Sequence, residues 1–341
     1  MILKEPFGTA HGTRTSTDGM LVALERGGVT GYGEVFMPPY YPENQKSFTQ
    51  FYEHPEIEDL LGFDSLDEAL ARLGAIAPGN AGAKTALDIA LHDLFGKEAE
   101  IPVRAMYNEL AISHPVPNTS FTIGIDTVDT MVRKAKEASG FKTLKIKLNG
   151  SEDIEVIKAI RGITDQRLFV DANQGWTDVE EAIDTAAELV ELGVGLIEQP
   201  FAKGEPENAG RLRDRCGVPV IADEDVQTAG DIAQLSRYYD GINIKLMKAG
   251  GIREAHKMIR EARELGLKVL LGCMTESSIG ISAAAQLAQY ADWCDLDGNL
   301  LITNDTCNGV ATVNGELRLS DAPGIGITGE GNLSSLFGPG G

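Results

Sequence analysis

Charged residues stand at the carboxyl end of one short apolar run after another: Lys145 and Lys147, then Asp171, Glu198, Asp223, Lys245, and last Asp295 with Asp297. From Lys145 to Lys245 they recur at intervals of about 25 residues, the length of one strand–helix unit. Three like charges brought together need a cation between them. An all-oxygen set with room left for substrate suits a hard ion, Mg²⁺ before Zn²⁺. Asp171, Glu198 and Asp223 are therefore the candidate metal ligands.

"TLKIKLNG" (143–150) places Lys145 and Lys147 two residues apart in a strand, so both ammonium groups share a face. Burying such a pair without a purpose is costly. Beside each other and a divalent cation, their pKa values should fall, which makes a lysine a usable general base near neutrality. Lys245 comes four strands later, across an eight-membered ring, so a substrate held on the metal meets lysine from two sides. Lys248 reads as a solvated rim residue. "DLD" (295–297) offers two acids opposite the metal, suited to a cationic group such as a substrate ammonium.

These side chains need a frame that carries them to one rim. From about residue 117 apolar runs alternate with helical ones: 119–124, 143–148, 167–172, 194–199, 218–223, 241–246, 268–273 and 293–298. Eight strands alternating with helices over roughly 200 residues imply a closed parallel barrel, whose functional groups lie at the carboxyl ends of the strands. Thr177-Asp178-Val179-Glu180 reads as a capping box opening one helix. The region before is mixed. Residues 20–36 read as two strands around Gly27-Gly28, 37–45 as a Pro-rich loop, and 80–99 as a helix with Ala83, Leu87, Ala90 and Leu94 on its buried stripe. A hairpin turning at Asn314-Gly315 is expected to return to the sheet of that first region.

The chain has 341 residues and a formal charge of −21, from 51 acids and 30 bases. That balance argues against nucleic acid and anionic membranes as partners. Four cysteines without CxxC spacing suit a reducing, cytoplasmic compartment, and no apolar run reaches spanning length.

The stretches "KIK" (145–147), "DANQGW" (171–176), "EQP" (198–200), "ADE" (222–224), "INIKLMKAGG" (242–251) and "DLDG" (295–298) resemble the enolase superfamily, in its muconate-lactonizing subgroup, and within it the dipeptide epimerases. The resemblance implies an α/β fold: a (β/α) barrel of the modified TIM type over 113–308, with an α+β N-terminal capping domain over 1–112 completed by 309–341. It implies one Mg²⁺ per subunit on Asp171, Glu198 and Asp223. Lys147 and Lys245 would remove and return a Cα proton on opposite faces through an enediolate, a two-base 1,1-proton transfer. Lys145 would hold the substrate carboxylate, and Asp295 and Asp297 the α-ammonium of a dipeptide. Cap loops at 8–19 and 37–50 would close the barrel mouth, with Arg14 reading a glutamate side chain as in L-Ala-D/L-Glu epimerases; His11 is given no role. The expected activity is thus an isomerase acting on a small dipeptide, in a monomer or a homo-oligomer. Cycloisomerase or o-succinylbenzoate synthase chemistry at the same site, a Schiff-base aldolase and a non-catalytic dipeptide-binding barrel stand as alternatives. "DLD" disfavours the first two and the three carboxylates disfavour the aldolase.

Overall fold

The computed structural model of the chain describes residues 1–108, 115–150 and 154–329, with Leu333, Leu336 and Phe337. The chain opens with two hairpins, β1 (Ile2–Thr9) with β2 (Gly12–Ser16), and β3 (Gly19–Arg26) with β4 (Val29–Phe36). Gly27 and Gly28 both take positive φ, 60° and 82°, which makes the tight turn that joins β3 to β4. The segment expected as a Pro-rich loop carries no regular structure until α1 (Gln45–Tyr52).

After α2 (Leu66–Ala75) comes α3 (Ala81–Glu98). The expected stripe of α3 is buried, but so are Thr85, Asp88, His92 and Asp93. One face lies on β4, where a Cβ on Gly33 would come within 1.9 Å of the Ala86 carbonyl oxygen, so only glycine lets the two backbones meet. The opposite face meets the barrel: Thr85 Oγ1 donates to the Leu246 carbonyl at 2.8 Å, and Ile252 N donates to Asp88 Oδ1 at 2.6 Å. A helix covered on both sides cannot show a simple amphipathic pattern.

The barrel alternates strand and helix. The order is β5 (Phe121–Ile123), α4 (Val128–Glu137), β6 (Thr143–Lys147), α5 (Ile154–Arg161), β7 (Arg167–Asp171), α6 (Val179–Glu191), β8 (Val194–Glu198), α7 (Pro206–Cys216) and β9 (Val220–Ala222). It continues with α8 (Ala229–Leu235), β10 (Gly241–Lys245), α9 (Leu246–Ala249), α10 (Ile252–Glu264), β11 (Lys268–Gly272), α11 (Ser278–Ala285) and β12 (Trp293–Asp295). β5 through β12 form one eight-stranded parallel sheet in chain order, closed by a bridge between Thr119 and Cys294. The cap of α6 is Asp178, whose side chain accepts from Glu180 N and Glu181 N, one residue later than the expected Thr177.

Inside the barrel, Phe169, Leu196, Ile221 and Leu270 pack into a floor. Two residues beyond Phe169, Leu196 and Ile221 come Asp171 and Glu198, the last residues of β7 and β8, and Asp223, the first residue past β9. Because strand side chains repeat every second residue, the same face that buries the floor lifts the acids above it.

β13 (Ala311–Val313) and β14 (Glu316–Arg318) do turn at Asn314-Gly315, but they form a separate two-stranded sheet and do not join the first region's sheet. Thr119 N donates to the Gly315 carbonyl at 2.8 Å, which holds this hairpin at the entry to β5. The chain then returns to α3, where Ile325 N donates to Asp93 Oδ1 at 3.0 Å. The expected boundary at 112–113 lies outside the described residues. Among the described residues no helix is long and apolar enough to cross a membrane.

Candidate active site

All the charged residues singled out along the strands meet at the carboxyl rim. Asp171, Glu198 and Asp223 are fully buried, and one oxygen of each lies within 4.8 Å of the others. Their neighbours fix them from behind. Asp171 Oδ1 accepts from Asn173 N at 2.9 Å, Glu198 Oε1 from Asn243 Nδ2 at 2.7 Å, and the backbone of Asp223 is tied through its N–H to Gln199 Oε1 at 2.8 Å. Glu198 Oε2 accepts no hydrogen bond, although Lys145 Nζ lies 2.7 Å from it. Buried, crowded and all-oxygen, this triad could hold a hard divalent cation.

The lysines surround it. Lys145 Nζ also lies 2.8 Å from Asp295 Oδ2 and 3.2 Å from Asp171 Oδ2. Lys147 Nζ lies 2.6 Å from Asp171 Oδ2, and Lys245 Nζ lies 2.7 Å from Asp223 Oδ2. Their strands, β6 and β10, stand across the ring from each other.

Lys248 differs from expectation. It is not on a solvated rim but 2 % exposed, with Nζ 2.5 Å from Asp223 Oδ1 and 2.5 Å from the Asp223 carbonyl oxygen. The single helical turn of α9 carries it back over the site, and the Lys245–Lys248 spacing ahead of Gly250-Gly251 is the signal that could have revealed it.

The carboxylates act directly on the lysine charge states. Burial acts to lower Lys145, but Asp295, Glu198 and Asp171 outweigh it and hold the ammonium well above the ordinary lysine range. Lys245 is likewise held well above that range, mainly by Asp223 acting against burial. Lys248 is lowered, by burial and by the charge of Lys245. A divalent cation shared by the three acids would compete for the charge that holds Lys145 and Lys245 up.

The two acids of "DLD" behave differently from each other. Asp295 accepts from Ser120 Oγ at 2.5 Å and Thr122 Oγ1 at 3.1 Å besides its ion pair with Lys145, and Lys145 holds it low despite burial. Asp297 accepts from Thr122 N at 2.6 Å and Thr122 Oγ1 at 3.2 Å, and burial next to Asp295 pushes it up to about 7. Nothing in the sequence pattern singled out Ser120 or Thr122, since a hydroxyl on a barrel strand is unremarkable until its partner strand is known.

Arg14 lies on strand β2 rather than in a loop, and it lines the same cavity as Lys145, Lys147, Lys245, Asp295 and Asp297. Its Nη2 donates to Thr275 Oγ1 at 3.0 Å, while its Nε is buried without a hydrogen-bond partner. His11, given no role from sequence, stacks on Tyr40 with ring centroids 4.2 Å apart and lies 3.3 Å from Gln174 Nε2 through its own Nε2. It thereby joins the first hairpin to the 37–50 segment and to the loop after Asp171.

Residues 1–106 match the family model of the mandelate racemase / muconate lactonizing enzyme N-terminal domain, and residues 128–331 that of the enolase C-terminal domain-like family. The chain is 44 % identical over 326 residues to an L-Ala-D/L-Glu epimerase of Bacteroides thetaiotaomicron, covering 95 % of this chain and 85 % of that one. Its fold is similar to a substrate-liganded L-Ala-D/L-Glu epimerase from Bacillus subtilis, with TM-score 0.89, 30 % identity and 96 % of each chain covered. It is also similar to a dipeptide epimerase from Enterococcus faecalis complexed with Mg and L-Leu-L-Tyr, with TM-score 0.87, 32 % identity and 96 % of each chain covered.

Proposed function

The chain belongs to the dipeptide epimerases of the enolase superfamily, and from that premise we propose that it inverts the α-carbon of the C-terminal residue of a dipeptide in a Mg²⁺-dependent reaction. The observation that carries this reading is the pair Lys147 and Lys245, on opposite strands, each within 2.7 Å of a different carboxylate of one triad. A substrate carboxylate placed over Asp171, Glu198 and Asp223 would have its α-carbon between the two amines.

One Mg²⁺ bound by Asp171, Glu198 and Asp223 would supply the positive charge that acidifies the α-hydrogen of the substrate. The chain's own groups do the rest. Lys147 and Lys245 exchange the proton at Cα, one taking it from one face and the other giving it back on the opposite face. Lys145 donates toward the carboxylate oxygens, where negative charge grows as the enediolate forms, so it favours the intermediate over the bound acid. Asp297 and Asp295 hold the ammonium. Of these two, Asp297 is the one in need of a cation, because burial beside Asp295 leaves it half-neutral near pH 7, whereas Lys145 already holds Asp295 low.

Arg14 sets the C-terminal side chain. Its buried Nε has no hydrogen-bond partner, a donor that the carboxylate of a C-terminal glutamate would satisfy, so L-Ala-D/L-Glu or a related Xaa-Glu dipeptide is the favoured substrate. The test is a dipeptide library incubated with enzyme and Mg²⁺ in D₂O and read by mass gain at Cα. The reading predicts exchange at the C-terminal residue, fastest for Xaa-Glu, and none after EDTA. Uniform exchange across apolar C-terminal residues would remove Arg14 from the account, and exchange that survives EDTA would remove the ion.

A further inference from the structure

Strand β10 ends on Lys245, and the single helical turn α9 that follows it carries Lys248. Both ends of that turn meet helix α3 of the N-terminal domain. At its start the Leu246 carbonyl oxygen accepts from Gly250 N at 3.0 Å and Gly251 N at 3.2 Å, and the Thr85 hydroxyl lies 2.8 Å from the same oxygen. At its exit Gly251, the residue before α10, has no side chain with which to cap that helix. The cap comes from α3 instead, because Asp88 Oδ1 accepts from Ile252 N at 2.6 Å.

The fit between the two segments is close. A Cβ on Gly251 would stand 2.2 Å from Asp88 Cγ, so the carboxyl group rests directly on the Gly251 backbone. Gly250 and Gly251 both take positive φ, 99° and 115°, which lets the chain turn against α3. Asp88 and Thr85 are buried and three residues apart, on one face of their helix. The Thr85 hydroxyl also lies 2.8 Å from the Ala81 carbonyl oxygen, so its single proton is divided between two acceptors. Asp88 is therefore the firmer of the two ties, and it lies 3.1 Å from His92 Nδ1 on its own helix. The backbone that these two residues hold is the backbone from which Lys245 and Lys248 reach Asp223. Lys147 stands on β6, across the ring from that turn.

We propose that Asp88, with Thr85 in a lesser part, is a positioning residue for Lys245: the N-terminal domain grips the turn after β10 and so sets the base on one face of the substrate. The inference rests on the two-base reading above. It gives the N-terminal domain a share in aligning the reacting groups. A misplacement of about 1 Å can cost on the order of 10²-fold in rate. Loss of the Asp88 tie should then cost about tenfold or more in proton removal by Lys245, and much less in proton removal by Lys147.

The experiment follows deuterium uptake at the C-terminal Cα from L-Ala-L-Glu and from L-Ala-D-Glu, using the full chain with Mg²⁺. Lys245→Ala first identifies the epimer whose exchange needs Lys245. Asp88→Ala should lower exchange from that epimer about tenfold or more relative to the other. Asp88→Asn, which keeps an acceptor for Ile252 N, should restore the parent ratio. Thr85→Val should move the ratio the same way by a smaller factor, and Thr85→Ser should not move it. A side chain needed for folding alone would lower both epimers together, so equal losses in a folded Asp88→Ala overturn the inference and leave the epimerase reading intact. If Asp88→Ala does not fold, an unmoved ratio in Thr85→Val overturns it. If Lys245→Ala spares or abolishes both epimers alike, the two-base reading falls and this inference with it.

Discussion

Lys248 donates to both the side-chain Oδ1 and the backbone carbonyl oxygen of Asp223, each at 2.5 Å, while Lys245 takes the other side-chain oxygen at 2.7 Å. Asp223 is thus held by two ammonium groups from one strand and the helical turn that follows it. Removing the Lys248 charge acts in two directions: it lessens repulsion of a cation, and it frees a carboxylate that had one orientation. In a site this buried, orientation should decide. Lys248→Met is expected to weaken Mg²⁺ binding about 10- to 100-fold, read by calorimetric titration independently of turnover. Unchanged or tighter binding would show that Lys248 does not orient the ligand.

Asp297 should impose a lower pH limit on substrate capture. Its carboxyl is raised to about 7 by burial and Asp295, so it is neutral below that pH and charged above it. Ammonium binding is therefore present above about 7 and lost as pH falls, while the substrate amine itself deprotonates near 8. KM for a free-amine dipeptide should pass through a minimum between these limits and rise about tenfold per unit below them. Asp297→Asn should raise KM and flatten its acid limb. A limb unchanged in that variant would assign the titration elsewhere.

Glu34 links β4 to the start of α11 and should make stability fall with rising pH. Its Oε1 accepts from Ser277 N at 2.9 Å and Gly280 N at 3.0 Å, and burial raises the group from 4.5 to about 7. For an acid raised on folding, the stabilisation is complete below 4.5, where both states are protonated. It declines as pH rises towards about 7, because the unfolded chain ionises first. Glu34→Gln keeps an acceptor for both amides and removes the titration. Urea unfolding at pH 5 and pH 8 should show the parent losing on the order of 3 kcal/mol more than the variant. Equal losses would leave Glu34 out of the pH dependence.

What could be read before folding, and what could not, separates along physical lines. The carboxyl-rim residues were legible because a barrel repeats at nearly constant spacing, so Asp171, Glu198 and Asp223 keep its beat. Lys248 was not, because its burial depends on a single turn of helix folding back over the strand end. The hairpin at Asn314-Gly315 was legible as a hairpin, since local turn chemistry decides it. Its location at the entry to β5 was not, because a long-range contact from Thr119 sets it. The direction in which the carboxylates around Lys145 and Lys245 hold the two ammonium groups is a balance of charge against burial that spacing alone does not show.

The most direct test of the two-base assignment uses Lys147→Ala and Lys245→Ala with each epimer of one dipeptide, followed by exchange of the Cα proton in D₂O. Each variant should lose exchange from one epimer by about 10² to 10⁴, the range for removal of a general base, and retain it from the other. The two variants should lose opposite epimers. If both lose the same epimer, or both exchange the two epimers at the parent's rate, Lys147 and Lys245 do not work on opposite faces of the substrate.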